Sequence, residues 1–440
     1  MEAWRSTWPA SKNDAVRLTI ERLSFGGEGV ARMEDGRVVF VRGALPGDVV
    51  EAELLQEKRS FCRAAATEII APSQLRIPAA CGLAQSCGGC QLWGLEAGDA
   101  WRLKADAAVE AVRRAGRVEL PLEVERVAAP SDRRYRRRLR LKFDNSGRTG
   151  FFAPGSHTLC QVDDCLVAHP SLMAAAAELN PTLAGLGEGR LLLELDRDET
   201  SVVALLETRR QRHAARGLTA LFEAPTPPHH LRGVRLPSRS GPRDFGAVTF
   251  EQQVGQWPRK LTVGAFTQAN DAVNEFLVDI VTGALEPSAG DRLLELYCGA
   301  GNFSLSLADQ GMEVCGVEID AGAVDAARAA RAALGAEASA RLRFEVRDLN
   351  RGLPAHLAEP GRFDKVLLDP PRSGARAAIK GLLALRAATI VYVSCDPPTL
   401  GRDLGSLVSG GYKLTRLVAL DMFPRTYHTE MVAVLSGGEG

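Results

Sequence analysis

The last part of the chain alternates apolar strands with helices, and this pattern restricts the fold more than any other feature. An alanine-rich helix at 321–334 separates the second strand from the third. The candidate strands are 293–296, 313–318, 342–346, 365–369 and 390–393. Because strands that alternate with helices at this spacing form parallel sheets, the pattern predicts an α/β domain with a doubly wound parallel sheet over residues 262–440.

Two other regions precede this domain, as expected for a chain of 440 residues, which is too long for one ordinary domain. Short strands separated by glycine turns predict a small β-barrel over residues 14–70. Its strands are expected at 16–20, 38–41 and 48–54. Residues 71–261 are predicted to form a central α+β domain, which includes a helix at 97–115 and a proline-rich loop at 225–228.

Composition limits the class of protein. Lys+Arg and Asp+Glu number 54 each, so the net charge of zero gives no overall indication of a nucleic-acid partner. No run approaches the roughly 18 apolar residues of a membrane span, and residues 1–13 lack the apolar core of a secretory signal. We therefore expect a cytoplasmic protein with no membrane partner, acting as a monomer.

Charge is nevertheless uneven along the chain. Residues 101–150 contain 14 Lys/Arg against 7 Asp/Glu, and the excess is centred on the run 133–142, which has six arginines, Tyr135 and no acid. Such a run is either a solvated strand face or an RNA contact, since arginines neutralise phosphates and a tyrosine ring stacks on bases. We favour RNA contact.

Nine cysteines in a cytoplasmic protein indicate ligands or catalytic groups rather than disulfides. Cys81, Cys87 and Cys90 form C-x5-C-x2-C, and Cys160 and Cys165 follow about 70 residues later. Four thiolates can hold zinc or an iron–sulfur cluster. Zinc ribbons usually have two C-x2-C pairs, and only one is present here, so a 4Fe-4S cluster fits better.

The turn after the first strand of the α/β domain is suited to an adenosine ligand. Gly299 and Gly301 let the chain pass close to a ligand at a helix N-terminus. Glu318 ends the next strand, 17 residues after Gly301, where a carboxylate can bind a ribose diol. The third glycine of the dinucleotide fingerprint is replaced by Ser304-Leu305. An adenosine ligand without a pyrophosphate indicates S-adenosylmethionine.

Asp369 and Cys395 follow two later strands of the same sheet. Two prolines after Asp369 hold its loop rigid, and Arg372 stands where enzymes that methylate amino nitrogens have an aromatic residue, which argues against that class. Cys395 lies where open α/β sheets place reactive groups. It is either a nucleophile or a small buried apolar residue, the commonest fate of a free cysteine.

Together these motifs resemble the RNA uracil-5-methyltransferases, a family that forms 5-methyluridine in ribosomal and transfer RNA. The matching segments, in family order, are FTQAN at 266–270, ELYCGAGNF at 295–303, DPPR at 369–372, SCDPPTL at 394–400 and FPRTYHTE at 423–430. Arg425 and Tyr427 depart from the family pattern, while His428 and Glu430 keep their places.

The resemblance implies a Rossmann-like, class I methyltransferase fold for the last domain, with S-adenosylmethionine as methyl donor. It assigns Cys395 as the nucleophile and Glu430 as the base. The residues that would surround the cofactor or the uracil are Gln268, Tyr297, Asn302, Glu318, Asp348 and Asp369.

The resemblance also covers the first two regions. The barrel resembles a TRAM domain, an RNA-binding module, and the matching branch carries a 4Fe-4S cluster. Its expected ligands are Cys81, Cys87, Cys90 and Cys165, with Cys160 as the alternative to Cys165. Because the transfer-RNA branch typically lacks both features, their presence favours 23S ribosomal RNA as substrate.

Three other functions remain open from the sequence. The same reaction could take place on transfer RNA. A different methylation could modify an amino nitrogen or a ribose. The chain could also be a non-catalytic RNA chaperone or assembly factor, although such a protein has no use for both Cys395 and Glu430.

Overall fold

The computed structural model of this protein describes residues 15–121 and 123–437. The predicted first residue of the barrel, Asp14, and the segment 1–13 lie outside the described residues. In the part of the chain that is described, none of the helices combines the length and the apolar character needed to cross a membrane.

The N-terminal region is a six-stranded sheet. Its strands are β1 (Ala15–Thr19), β2 (Arg22–Leu23), β3 (Gly29–Arg32), β4 (Val38–Arg42), β5 (Val49–Glu57) and β6 (Phe61–Ala71). The order is β1-β5-β6-β4-β3-β2, and only β4 and β6 pair in parallel. Alternate residues of β4 and β5, such as Val39 and Val50, are fully buried in one small core, as the period-two pattern requires.

The cysteine-rich segment follows, and then a long helix, α1 (Ala97–Gly116), and a short strand, β7 (Glu125–Val127). Both lie in the sequence range that we assigned to the central region. In the structure they join the C-terminal domain instead. Trp101 and Val112 of α1 pack into the same core as strands near the end of the chain.

The central region contains a seven-stranded sheet and two helices. These elements are β8 (Arg138–Phe143), β9 (Thr149–Phe152), β10 (Leu159–Gln161), α2 (Pro170–Leu183), β11 (Gly189–Leu195), β12 (Val202–Thr208), α3 (Gln211–Phe222), β13 (Leu231–Leu236) and β14 (Arg243–Gly246). The strand order is β10-β9-β8-β11-β12-β13-β14. One face, with Leu139 and Leu141 of β8, packs against α2 and α3. The opposite face carries Arg138, Arg140 and Lys142, because side chains alternate along a strand.

A hairpin of β15 (Thr249–Val254) and β16 (Trp257–Thr262) connects this sheet to the last domain, which begins with helix α4 (Asp271–Leu285). Asn270 begins the helix, and its side-chain oxygen accepts a hydrogen bond from Val273 N at 3.3 Å, as an N-cap residue does. Phe250 and Leu261 of the hairpin pack on Val203 of the central sheet, so the hairpin covers part of the second face of that sheet.

The C-terminal domain is built on an eight-stranded sheet. Its remaining elements are β17 (Arg292–Leu296), α5 (Ser304–Asp309), β18 (Glu313–Glu318), α6 (Ala321–Ala330), α7 (Ala336–Ala340), β19 (Leu342–Val346), β20 (Lys365–Leu368), α8 (Ile379–Leu385), β21 (Thr389–Ser394), α9 (Pro397–Ser409), β22 (Tyr412–Leu420) and β23 (Glu430–Gly437), with short 3₁₀ turns at Arg331–Ala333, Leu349–Arg351 and Ala355–Leu357.

The order of this sheet is β19-β18-β17-β20-β21-β23-β22-β7. The strands β17 to β21 are parallel, as predicted, and helices cover both of their faces. The sheet as a whole is mixed, because β23 runs antiparallel to both β21 and β22. The connection 421–429 between β22 and β23 has nine residues, fewer than the dozen or more that a parallel crossover needs.

Helices α1 and α9 cross at a contact that only glycine allows. A Cβ atom added to Gly401 or Gly405 of α9 would overlap the backbone carbonyl oxygen of Val112 or Gly116 in α1. Helix α9 starts directly after Cys395, with Asp396 as its cap accepting from Thr399 N at 3.0 Å. The close packing of α1 therefore helps to fix the end of β21.

We expect Gly401→Ala to destabilise the protein by about 1–3 kcal/mol, because the two helices must move apart to admit the methyl group. The midpoint of urea unfolding measures this loss. The matched control is Gly98→Ala near the start of α1, where an added Cβ meets no atom within 4 Å. Equal midpoints for the two variants would contradict this account of the contact.

Candidate active site

The carboxyl ends of the parallel strands bring together residues from separate motifs. Tyr297 follows β17, Glu318 ends β18 and Asp369 follows β20. Strands β17 and β20 are neighbours at the point where the strand order reverses, and open α/β sheets bind ligands there. The Asp369 N–H donates to Leu296 O at 3.3 Å, which joins the two strand ends directly.

Cys395 and Glu430 lie at the same edge. Cys395 directly follows β21, and Glu430 begins the antiparallel β23, where Met431 pairs with Ser394. The Glu430 side chain is only 2% exposed, while Cys395 is half-buried. The sheet edge therefore places a thiol next to a buried carboxyl group, although 34 residues lie between them in the chain.

The glycine turn after β17 holds the Glu318 carboxylate. Gly299 N donates to Glu318 Oε2 at 3.1 Å, and Oε1 accepts from Ile319 N and Asp320 N at 2.7 and 2.9 Å. Gly299 and Gly301 have positive φ values of 54° and 80°, which glycine adopts without strain. The carboxylate is held in place, and its remaining acceptor capacity is free for a diol.

Tyr297 has an unusual backbone. Its φ is +60°, and an aromatic residue adopts the left-handed region only at a cost of about 1–3 kcal/mol. Burial raises the pKa of its hydroxyl to about 12. Strain of this kind is concentrated at ligand sites, which fits the predicted role of Tyr297.

The other residues predicted to surround the cofactor differ in their hydrogen-bond partners and burial. Asn302 Oδ1 accepts from Asn274 Nδ2 at 3.1 Å and from the buried Arg259 Nη2 at 3.3 Å, while its Nδ2 donates to Asn274 Oδ1 at 2.9 Å. Because both polar atoms of its amide already have partners, Asn302 is better suited to stabilise the turn than to contact a ligand. Asp348 follows β19 and accepts from Asn350 N at 3.0 Å. Gln268 is buried in the connection between β16 and α4.

Burial controls protonation at the thiol. Burial, followed by the charges of Glu430 and Asp369, raises the pKa of Cys395 to about 12, although the nearby Arg372 lowers it. Burial and Glu318 raise the pKa of Asp369 to about 7, and burial raises that of Glu430 well above its ordinary value. The thiol is therefore protonated at neutral pH, and the Asp369 carboxyl group can accept or release a proton there.

Arg372 and His428 are site residues to which sequence reasoning gave no role, although both stand in the quoted motifs. Arg372 Nη2 lies 3.2 Å from His428 Nε2. Burial, followed by the nearby cations Arg372, Arg136 and Lys104, lowers the pKa of His428 to about 3. His428 is thus neutral at neutral pH, and its Nε2 can accept an N–H from Arg372.

A buried lysine from α1 holds the loop 421–429, which precedes Glu430. Lys104 is 2% exposed, and its Nζ donates to Phe423 O at 2.9 Å, to Thr426 O at 3.2 Å and to His428 O at 2.9 Å. Asp421 Oδ1 is its counter-ion at 2.6 Å. A single ammonium group therefore sets the path of the loop that leads to His428 and Glu430.

Arg425 is a position at which the chain departs from the family pattern. Its hydrogen bonds connect the same loop to the cysteine-rich segment. It is 8% exposed and has a φ of +66°. Its Nε donates to Asp132 Oδ2 at 2.6 Å and its Nη1 to Leu95 O at 2.6 Å. Its guanidinium lies 4.7 Å from the Trp93 ring centroid. In return, the Arg425 carbonyl accepts from Gln91 N at 3.1 Å.

Four cysteines line one cavity of about 40 Å³ beside Trp93 and Arg136; they are Cys81, Cys87, Cys90 and Cys165. Burial raises the pKa of Cys87 to about 12 and that of Cys90 to about 11. Cys160 is near enough for its charge to affect Cys87, but its Sγ lies 3.6 Å from Ser86 Oγ. Across residues 15–121 and 123–437, no three His, Cys, Asp or Glu side chains are arranged to hold a single metal ion.

The basic run 133–142 is not one solvated face. Arg134 pairs with Asp164 at 2.6 Å. Arg137 pairs with Asp271 at 2.8 Å. Arg138 pairs with Glu194 at 3.2 Å, and Arg136 lies over the Phe423 ring. Most of these arginines hold segments of the protein together, and the expected RNA contact is reduced to the remaining cations, which are Arg133, Arg140 and Lys142.

We expect Lys104→Met to reduce the free energy of unfolding by about 3–5 kcal/mol, because Asp421 is left as an uncompensated buried charge. Urea unfolding measures the loss. The control Arg102→Met removes an exposed cation from the same helix, whose partner is Asp99 at 3.1 Å, and should change stability by less than about 1 kcal/mol.

Adding Asp421→Leu to Lys104→Met should restore part of the stability, since the unpaired carboxylate is removed. If the double variant were less stable than Lys104→Met alone, the ion pair would not be the source of the loss.

The chain is similar to known proteins over almost its whole length. A family model described as tRNA (Uracil-5-)-methyltransferase matches residues 255–437, and a TRAM domain model matches residues 10–67. The 23S rRNA (uracil(1939)-C(5))-methyltransferase RlmD of Pseudomonas aeruginosa (strain UCBPP-PA14) is 37% identical over 442 residues, covering 96% of this chain and 94% of the relative. RlmD of Aeromonas salmonicida (strain A449) is 34% identical over 436 residues, covering 95% and 96%.

A solved structure supports the fold. The Pyrococcus abyssi tRNA (uracil-54, C5)-methyltransferase in complex with S-adenosyl-L-homocysteine aligns with a TM-score of 0.72 and 24% identity, covering 96% of this chain and 100% of that chain. The expected class I methyltransferase domain and N-terminal TRAM domain are thereby confirmed. The extent of the match with the curated relatives means that this chain belongs to the RNA uracil-5-methyltransferase family.

Proposed function

We propose that this protein transfers a methyl group from S-adenosylmethionine to carbon 5 of one uridine in 23S ribosomal RNA. The observation that carries the proposal is the meeting of Cys395, Glu430 and Asp369 at the carboxyl edge of a methyltransferase sheet. The choice of 23S RNA is supported by relatives of that name that match along the whole chain and by the RNA-binding TRAM domain.

The reaction requires a nucleophile because carbon 5 of uracil reacts poorly with a methyl sulfonium. In the proposed reaction, the Cys395 thiolate adds to carbon 6, and the ring becomes an enolate with electron density on carbon 5. Carbon 5 then takes the methyl group, and S-adenosylhomocysteine leaves. Glu430 removes the proton from carbon 5, and the electron pair of that bond re-forms the double bond as the thiolate departs.

Electrostatics supports these roles. A protonated Cys395 must lose its proton before it attacks, and Arg372 is the cation whose charge favours the thiolate. Glu430 is kept away from water by burial, so its raised pKa makes it a stronger base once it is ionised. Asp369, with a pKa of about 7, is suited to exchange a proton with the uracil ring or its surroundings.

S-adenosylmethionine supplies the methyl group when bound. We propose that Glu318 binds its ribose diol, since that carboxylate is held by three backbone N–H groups next to the glycine turn. Tyr297, Gln268, Asp348 and Asp369 would complete the surroundings of the cofactor and the uracil. Asn302 would act through the turn that it stabilises.

Cys395→Ala should abolish methylation, because the alanine side chain has no nucleophile to add to carbon 6. Glu430→Gln should form the methylated adduct and fail to release it, so RNA-bound protein accumulates on a denaturing gel. Tritium release from carbon-5-labelled uridine in a 23S transcript measures turnover. Cys315→Ala, in the core of the same sheet, is the control and should keep its activity. A Cys395→Ala variant that still turns over would refute the covalent mechanism.

The same assay separates the alternative functions. Transfer-RNA transcripts in place of 23S transcripts test the substrate. A methylation of an amino nitrogen or a ribose would transfer a labelled methyl group to the transcript without releasing tritium, and an RNA chaperone would bind the transcript without doing either.

We also propose that the cysteine cavity holds a 4Fe-4S cluster. The donor set fits, since four thiols line one space without converging on the position of a single ion, and thiolates are the usual ligands of such clusters. Cys81, Cys87, Cys90 and Cys165 would be the ligands. The cluster would act structurally, by holding the segment that Arg425 joins to the loop before Glu430.

Iron and sulfide analysis after anaerobic purification tests this assignment. Cys165→Ala should lose most of the iron and sulfide, whereas Cys160→Ala, the matched control, should retain them because Cys160 lies outside the cavity lining. The reverse result would make Cys160 the fourth ligand, and a parent protein without iron and sulfide would remove the cluster altogether.

A further inference from the structure

We propose that one strip of the central sheet guides a single-stranded part of the substrate RNA from the TRAM domain to the candidate active site. This inference rests on the proposed function, since it takes RNA as the substrate. The strip, called here the β8 strip, consists of His157, Phe152, Lys142, Arg140, Arg138 and Phe266.

The strip follows from the register of the sheet. Residues 138, 140 and 142 share the face of β8 that points away from α2 and α3, and successive members are about 6.6 Å apart along the strand. On the next strand, Arg190 pairs with Lys142 and Leu192 with Arg140. Phe152 lies on the same face, two residues beyond Gly150, which also pairs with Lys142.

Apart from Arg138, which is paired with Glu194, the cations of this face have little compensation from nearby carboxylates. The Arg140 side chain is exposed and forms no hydrogen bond or ion pair with any residue that the structure describes. Arg190 lies 3.9 Å from the exposed Glu207. The pKa of Lys142 is lowered by burial and by the charges of Arg190 and Arg140. A cluster of mutually repelling cations is relieved when an anion binds between them.

Two acids on the neighbouring strands, Glu207 and Glu194, share the face of the strip by register. Glu194 lies at the end near Phe266, where it is already paired with Arg138 at 3.2 Å. The part of the strip around Arg140 and Lys142 therefore keeps a positive excess, as a contact for phosphates requires.

Aromatic rings flank these cations at both ends of the strip. Lys142 Nζ lies 5.1 Å from the Phe152 ring centroid, and the His157 ring packs edge-on against Phe152 at 5.3 Å. Arg138 lies 5.7 Å from the ring of Phe266, which is 65% exposed. Proteins that bind single strands combine a cationic track with rings on which bases stack. An acidic or phosphorylated peptide would use the cations but not the rings.

The two ends of the strip reach the two functional regions. Phe266 lies two residues before Gln268, one of the residues proposed to surround the cofactor and the uracil. At the other end, Arg42 of the TRAM domain donates to Pro154 O at 3.1 Å, in the loop that also carries His157. A strand lying along the strip would thus connect the TRAM domain with the thiol.

The test compares two double variants of the full-length protein. Arg140→Ala/Lys142→Ala removes two cations from the strip. Arg212→Ala/Arg216→Ala removes two exposed cations from α3, on the opposite layer of the same domain. The probe is a transcript of the 23S segment around the position equivalent to the uridine 1939 for which the relatives are named, and affinity is measured across a series of salt concentrations.

We expect the strip variant to bind the transcript about tenfold more weakly, and its plot of log K against log salt to be shallower by about 1.4, which is 0.7 for each lost single-strand phosphate contact. The α3 variant should match the parent. A short oligonucleotide with 5-fluorouridine and only its nearest neighbours should form the covalent adduct equally well with all three proteins, because it does not reach the strip.

Other results would overturn the inference. An unchanged salt dependence in the strip variant, or an equal loss in the α3 variant, would mean that the strip makes no specific contact. Competition by a phosphorylated peptide, with transcript binding unaffected by the strip variant, would assign the surface to a protein partner. If the unsubstituted protein neither binds nor methylates the transcript, the proposed function itself is refuted, and the variants need not be compared.

Discussion

The buried ammonium group of Lys104 is the interaction on which the arrangement of the site depends. It joins a helix near residue 100 to three carbonyl groups more than 300 positions later in the chain, and Asp421 compensates its charge. A buried ion pair adds little net stability compared with apolar packing, but it is very sensitive to the loss of one partner. What the pair provides is a defined path for the loop that leads to Glu430.

This loop links regions that would otherwise be independent. Its Arg425 is bonded to Asp132 and to the backbone after the cysteine-rich segment, and Tyr135 donates to Pro424 O at 3.0 Å. A change in the cysteine cavity would therefore reach the proposed base, Glu430, through a few short, buried bonds. In the proposed mechanism, these cysteines would influence the methyltransferase sheet without contacting a substrate.

Local sequence predicted the parallel part of the fold well, because strands buried on both faces are continuous apolar runs. Strands β18 and β19 have the predicted bounds, and the motifs lie where those strands end. The antiparallel direction of β23 was not predicted, since it depends on the path of the loop before it. The partners of the arginine run were also missed: Arg138 pairs with Glu194, and no local pattern specifies a pair so distant in sequence.

The arginine run also shows why composition alone misleads about RNA binding. An arginine that pairs with a carboxylate of the protein has its charge compensated and its fork of donors occupied, so it offers little to a phosphate. Arg134 and Arg137 are of this kind, whereas Arg140 is not. Along β8 the period of two separates packing from charge, because Leu139 and Leu141 face the core while Arg140 and Lys142 face outward. One strand can therefore hold the central domain together and still present a charged track, provided that the residues of its outer face lack partners.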